Sequence, residues 1–213
     1  IPNARGDFLQ GARVIPPENG QGARVVLSWH NRTSTQLLHV PNPPTGAWRW
    51  EEISPRTTGE HVAVADLDGD GDTDIHLGTF WLRADGDTWT RVEAVTLGDP
   101  EADPDRVELA DINGDGRLDV VIGAEHANRV VWGEAPENPN DPWVEHLISD
   151  QYLAMSLDVG DLDQDGDLDM VIGEHIDQTG RTVILANDGQ GQAWTEYVID
   201  SAFEHHVGTQ LID

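Results

Sequence analysis

The sequence predicts an all-β chain of four-stranded antiparallel β-propeller blades, about four of them, as part of a larger ring of about seven. Three observations predict it. An aspartate-rich nonapeptide occurs three times, beginning at Asp66, Asp111 and Asp161. Each copy runs into a short β-branched segment ending in Gly: Ile75-His-Leu-Gly78, Val120-Val-Ile-Gly123 and Met170-Val-Ile-Gly173. Four tryptophans, Trp48, Trp89, Trp143 and Trp194, each open an alternating stretch. Strand-and-turn repeats of roughly 40–50 residues are the period of propeller blades.

The nonapeptides come first because they set the chemistry. They are Asp66-Leu-Asp-Gly-Asp-Gly-Asp-Thr-Asp74, Asp111-Ile-Asn-Gly-Asp-Gly-Arg-Leu-Asp119 and Asp161-Leu-Asp-Gln-Asp-Gly-Asp-Leu-Asp169. Each places a carboxylate or amide at positions 1, 3, 5 and 9: Asp66, Asp68, Asp70 and Asp74; Asp111, Asn113, Asp115 and Asp119; Asp161, Asp163, Asp165 and Asp169. Crowded carboxylates repel one another, and a divalent cation turns that repulsion into attraction. Oxygen-only donors select a hard ion, and a flexible set with one backbone carbonyl suits Ca²⁺ better than Mg²⁺. Position 7 (Asp72, Arg117, Asp167) is expected to give its carbonyl, which tolerates Arg there. Gly at position 6 supplies the sharp turn. The loop starts like an EF-hand but lacks the bidentate Glu at position 12, where Leu77, Ile122 and Ile172 stand. The β-branched residues after each loop read as a strand, where an EF-hand would have a helix. Three Ca²⁺ sites are therefore expected.

Each blade reads as strand A, metal loop, strand B, turn, strand C, turn, strand D. The blades span about 7–58, 59–103, 104–150 and 151–204, and residues 205–213 begin a further one, in a single propeller segment. In the second blade strand A is His61–Ala65, strand B Ile75–Phe80, strand C Trp81–Ala84 and strand D Trp89–Leu97, with Asp85-Gly-Asp87 as the last turn. The first blade keeps the strands and loses the metal. Its loop, Pro16-Pro-Glu-Asn-Gly-Gln-Gly22, holds one carboxylate, and strand B comes next as Arg24–Ser28. In the fourth blade Asn187-Asp-Gly-Gln-Gly191 is a hairpin-type turn. The recurrent tryptophans read as blade-to-blade packing. The last residues, His206–Asp213, look like a new strand A, so a piece of a longer ring is expected, with completion by a second copy or closure as four blades as the alternatives.

Composition limits the partners. Forty acidic residues against 12 basic ones, all Arg, give a net charge of −28. Nucleic acid and anionic membrane are poor partners for such a surface. No apolar run is long enough to span a bilayer. There is no Cys, so no disulfide. Ile1-Pro-Asn3 reads as a processed or truncated start. Calcium loops of weak to moderate affinity fill most easily where calcium is millimolar, which points outside the cell, to its surface or to a periplasm.

The segments Val62-Ala-Val-Ala-Asp-Leu-Asp-Gly-Asp-Gly-Asp-Thr-Asp-Ile-His-Leu-Gly78 and Leu157-Asp-Val-Gly-Asp-Leu-Asp-Gln-Asp-Gly-Asp-Leu-Asp-Met-Val-Ile-Gly173 resemble the FG-GAP/VCBS repeat family. The resemblance covers three repeats strongly and the first weakly. It implies a β-propeller with Ca²⁺ in its A–B loops, as in integrin α-subunit heads and fungal lectins. It leaves activity open, because the family includes adhesion modules, lectins and some polysaccharide lyases.

Recognition is expected on the face opposite the metal loops. There the ends of strand B carry Trp29, His30, Phe80, Trp81, Glu125, His126, Glu174 and His175, and the starts of strand A carry His61, Arg106, Tyr152, His205 and His206. Aligned on the end of strand B, His30, Phe80, Glu125 and His175 are equivalent. Six of the nine histidines fall on this face. The expected ligand-binding set is Trp29, His30, His61, Trp81, Glu125, Glu174 and His206, since aromatic rings stack on sugars and His or Glu bonds hydroxyls. The first expectation is a calcium-binding recognition or adhesion module for a glycan or a partner protein. The alternative is a carbohydrate-active lyase or dehydratase with His126, His175, Tyr152 and Arg106 as its acid–base and anion-binding groups.

Overall fold

A computed structural model describes residues 9–18, 20–30, 34–57, 60–98, 103–124, 127–151, 154–174, 180–201 and 211. The chain is all-β, with four four-stranded antiparallel blades in two compact units, residues 1–93 and 94–213. The first blade comprises β1 (Leu9–Ile15), β2 (Arg24–Trp29), β3 (Thr35–His39) and β4 (Arg49–Ser54). The second comprises β5 (Ala63–Ala65), β6 (Asp74–His76), β7 (Phe80–Asp85) and β8 (Thr88–Glu93). The third comprises β9 (Arg106–Ala110), β10 (Asp119–Ala124), β11 (Arg129–Glu134) and β12 (Val144–Ser149). The fourth comprises β13 (Ala154–Gly160), β14 (Asp169–Glu174), β15 (Thr182–Asn187) and β16 (Trp194–Asp200). Strands pair in sequence order in every blade, as short connections between antiparallel neighbours require. Among the described residues no helix is long and apolar enough to cross a membrane.

Burial tracks strand position. β6, β10 and β14 are buried along their whole length: β10 and β14 follow their opening aspartate with an apolar run, and β6 buries Ile75 between Asp74 and His76. β8, β12 and β16 are half or fully exposed and alternate with polar residues. In the first unit Ile15, Val26, Leu37, Val62, Ile75, Leu77, Phe80 and Leu82 join both blades in one core. In the second unit Ile112, Val121, Trp132, Leu157, Met170, Ile172 and Leu185 do the same.

One expectation is corrected and one extended. Strand B of the second blade ends at His76, not Phe80. Gly78 adopts φ +82° and Leu77 N–H donates to the Phe80 carbonyl at 2.8 Å, a tight turn that hands Phe80 to β7. Phe80 is therefore not equivalent to His30, which follows the second strand of its blade. The recurrent tryptophans also act within their own blades. Trp48 Nε1 donates to Pro44 O at 2.9 Å, Trp143 Nε1 to Pro139 O at 3.1 Å and Trp194 Nε1 to Gly191 O at 3.2 Å. Each indole pins the turn that precedes its strand.

Candidate functional site

The three aspartate loops share one frame. In each, the strand residue before the loop pairs with the position 9 aspartate that opens the next strand: Ala65 with Asp74, Ala110 with Asp119, Gly160 with Asp169. Gly71, Gly116 and Gly166 at position 6 take φ of +91°, +88° and +101°, so the expected turn is present. Asp66 accepts Gly69 N–H (2.8 Å) and Gly71 N–H (3.0 Å), and Asp111 accepts Asp115 N–H (3.0 Å) and Gly116 N–H (2.8 Å). These bonds curl the loop around its first carboxylate.

Position 9 has a second task that the sequence reading missed. Asp74 is buried, and its two oxygens accept Leu67 N–H and Ala84 N–H, both at 2.8 Å. Asp119 accepts Ile112 N–H (3.1 Å) and Ala135 N–H (2.8 Å). Asp169 accepts Leu162 N–H (2.9 Å) and Asn187 N–H (3.0 Å). The same carboxylate thus ties the loop to the third strand of its blade three times over. Position 7 also reaches further than its carbonyl. Asp72 accepts Gly86 N–H at 3.0 Å, and Arg117 donates Nε to Ala135 O at 2.8 Å while its guanidinium pairs with Asp115.

The donor chemistry fits a hard cation in two of the loops. Oxygens of Asp66, Asp68 and Asp74 lie within 4.8 Å of one another, as do those of Asp161, Asp163 and Asp169. Burial pushes Asp74 up to about 7 and Asp119 likewise to about 7. Partial desolvation and the neighbouring Asp70 raise Asp68. Desolvation and the Asp165 carboxyl push Asp167 up to about 6, and its Oδ1 is buried without a hydrogen-bond partner among the described residues. Crowded acids that favour their protons also favour any cation that replaces them. The third blade's loop differs, because Asn113 brings an amide and Arg117 already neutralises Asp115.

The opposite face offers less than expected. Trp81 is fully buried and Trp29 is 9% exposed, both in the core, so neither presents a ring to a ligand. Glu174 is buried in an ion pair with Arg181 at 2.9 Å. Arg106 is buried as well, donating Nε to Met155 O at 2.5 Å and an amino group to Asp105 O at 3.0 Å. It braces backbone and is not exposed as an anion-binding group. His30 is exposed, with Nδ1 2.7 Å from Gln10 Oε1 and 3.2 Å from Glu60 Oε1. His61 Nε2 lies 3.1 Å from an Arg13 amino group. Glu125, His126, Tyr152, His175 and His206 lie outside the described residues. Two His–Glu pairs not expected from the sequence join the third and fourth strands of their blades: His39 with Glu51 at 2.9 Å and His146 with Glu134 at 2.8 Å. His146 also stacks on Trp132, ring centres 4.3 Å apart.

A cleft of about 520 Å³ opens on the loop side of the first blade, lined by the metal-free loop (Pro17, Gly20–Ala23) and the turn from Val40 to Pro44. None of these residues is charged. The sequence signal for it is the pairing of a loop without ligands with the proline-rich stretch Pro41-Asn-Pro-Pro44.

Residues 111–172, from the third blade's aspartate loop to the strand after the fourth blade's loop, match the FG-GAP-like repeat family. That segment carries FG-GAP-like repeat sequence. The Asp66–Asp74 segment has the same loop frame as the matched FG-GAP-like region, and the first blade keeps the frame with different side chains. No curated protein matches the chain. A solved structure of an Agrocybe aegerita lectin, described as specifically recognising non-reducing terminal N-acetylglucosamine, is similar with a TM-score of 0.53 and 18% identity. The similarity covers 86% of this chain and 50% of that one, so the chain spans half the length of the lectin. At this identity the likeness is one of fold.

Proposed function

We propose that the chain is an extracellular recognition module whose blades are braced by calcium and whose ligand is a neutral glycan. The observation that carries the ligand class is the first-blade cleft. Its volume lies in the roughly 300–1,000 Å³ range of small-molecule sites. On a chain of net charge −28, an uncharged lining offers an anion no counter-charge and a cation no carboxylate, which favours a neutral ligand. Proline and valine walls supply apolar contact for sugar C–H faces, and the Gln21 and Asn42 amides with the Gly20–Gly22 backbone supply polar contact. Recognition of N-acetylglucosamine by the lectin of similar fold supports the same class. The calcium part rests on the donor sets of Asp66, Asp68 and Asp74 and of Asp161, Asp163 and Asp169, which would hold the ion with the position 5 side chains and position 7 carbonyls. In the loop at 111–119 the Asn113 amide oxygen takes the place of one carboxylate. Calcium so bound draws the carboxylates together and stiffens each A–B connection.

The test is a glycan array followed by calorimetric titration of the best hit and of N-acetylglucosamine. Binding of a neutral glycan by the protein, weakened at least about tenfold in Asn42→Ala with an unchanged melting curve, is expected. Binding only to protein partners, or glycan binding indifferent to Asn42, would overturn the cleft as the site.

A further inference from the structure

We propose that Glu18, in the metal-free first blade, is a positioning residue for the cation of the neighbouring loop Asp66–Asp74. The inference rests on the calcium reading and starts from register. Arg24 pairs with Ile15 in the way Asp74 pairs with Ala65, and eight residues separate the partners in both (16–23 and 66–73). Arg24 therefore stands where the other three blades have their position 9 aspartate. It is buried, and its guanidinium pairs with Glu18, which falls at position 3 of its own loop. The first blade thus carries a built-in cation where the others carry a carboxylate.

Glu18 does not end its contacts there. Its carboxylate also accepts the Thr73 hydroxyl at 2.5 Å and Thr73 N–H at 3.3 Å. Thr73 is position 8 of the second blade's loop, and its N–H belongs to the same peptide unit as the Asp72 carbonyl, the expected position 7 ligand. That peptide is trans, since the only cis bond among the described residues is Asn42–Pro43. In a trans peptide the carbonyl and the N–H point to opposite sides. An N–H held by Glu18 therefore turns the Asp72 carbonyl away from Glu18. Arg24 fixes the acceptor, Glu18 fixes the peptide plane, and the plane fixes one ligand of the ion. Positions 8 of the other two loops are Leu118 and Leu168, whose side chains offer no such donor. Outer partners of this kind set metal affinity without touching the metal.

The test is calcium titration by calorimetry, with native mass spectrometry to count ions. Thr73→Val removes the hydroxyl donor and leaves the Arg24 pair intact, while Glu18→Gln keeps the shape and weakens the acceptor. Both should weaken one site on the order of tenfold or more. The site lost in Asp163→Ala should keep its wild-type affinity in both variants, and Thr73→Val should melt like wild type in excess chelator. Wild-type affinity at every site in both variants would overturn the positioning role while leaving the calcium reading intact. A melting loss in chelator without an affinity change would also overturn it. A wild-type protein that binds no calcium would overturn both.

Discussion

His76 shows how far a residue's role depends on its surroundings. In sequence it is one of three scattered histidines with no pattern. In the fold it is fully buried beside Trp81, its cross-strand partner, and Nδ1 accepts Gly78 N–H at 3.1 Å. Burial pushes its pKa down to about 3. The folded state therefore keeps it neutral, while the unfolded chain takes up a proton below about 6.5. Stability from this residue is full above 6.5 and falls as pH drops toward 3. Asp74 and Asp119 act in the opposite sense in metal-free protein. Their raised values favour the folded state below about 4, and this advantage is lost as pH rises toward 7. Comparing wild type with His76→Leu cancels the carboxylate contribution. Melting in chelator should show the difference moving toward the variant by roughly 3 kcal/mol between about pH 7.5 and pH 4.5. A difference that stays flat across that range would refute the buried, neutral state.

At the scale of an element, the aspartate loop separates two jobs that its spacing presents as one. Asp163 is exposed and its carboxyl is raised by partial desolvation and by Asp165, so without metal it contributes mainly repulsion. Asp169 is buried and holds two backbone N–H groups from different elements. Asp163→Ala should leave stability in chelator nearly unchanged and should cost stability only when calcium is present. Asp169→Ala should lose roughly 3 kcal/mol even in chelator, because two buried donors are left without their acceptor, and more when calcium is present, because a ligand of the ion goes with it. Chemical denaturation of both variants with and without chelator checks this. Equal losses in chelator would mean that the loop has no such division. The position 9 aspartate was legible in the sequence as a ligand. Its bonds to Ala84, Ala135 and Asn187 were not, because those partners lie 10 to 18 residues downstream across two strand pairings.

For the molecule as a whole, net charge and calcium are linked. A chain of charge −28 repels itself, and each bound Ca²⁺ removes part of that cost where it is densest. A site whose Kd lies about 100-fold below free calcium contributes about 2.7 kcal/mol of stability. Emptying two such sites should lower the melting temperature by at least about 10 °C for a chain of this size, and calcium should restore it where magnesium does not. A melting curve unmoved by chelator would remove calcium from the account. The two halves of the candidate site were unequally readable. Trp29, Trp81, Arg106 and Glu174 looked like a polar mouth because their types suit recognition, yet each is consumed by core or backbone contacts. Pro17, Gln21 and Asn42 lie in two stretches whose composition is legible, a ligand-free loop and a proline-rich turn, but only the approach of those two loops makes them a cleft.

What the sequence alone determined is local and periodic. Carboxylate spacing, the position 6 glycine and the β-branched runs after each loop specify the strand–loop–strand unit, since every contact that defines it lies within one repeat. What only the tertiary structure decided is which side chains are left over for function. Burial of Trp81, the pairing of Arg24 with Glu18, and the reach of Glu18 to Thr73 depend on how strands and loops pack, and no spacing in the chain signals them. Repetition announces a fold because it is written in the chain, whereas exposure is a property of what packs on top.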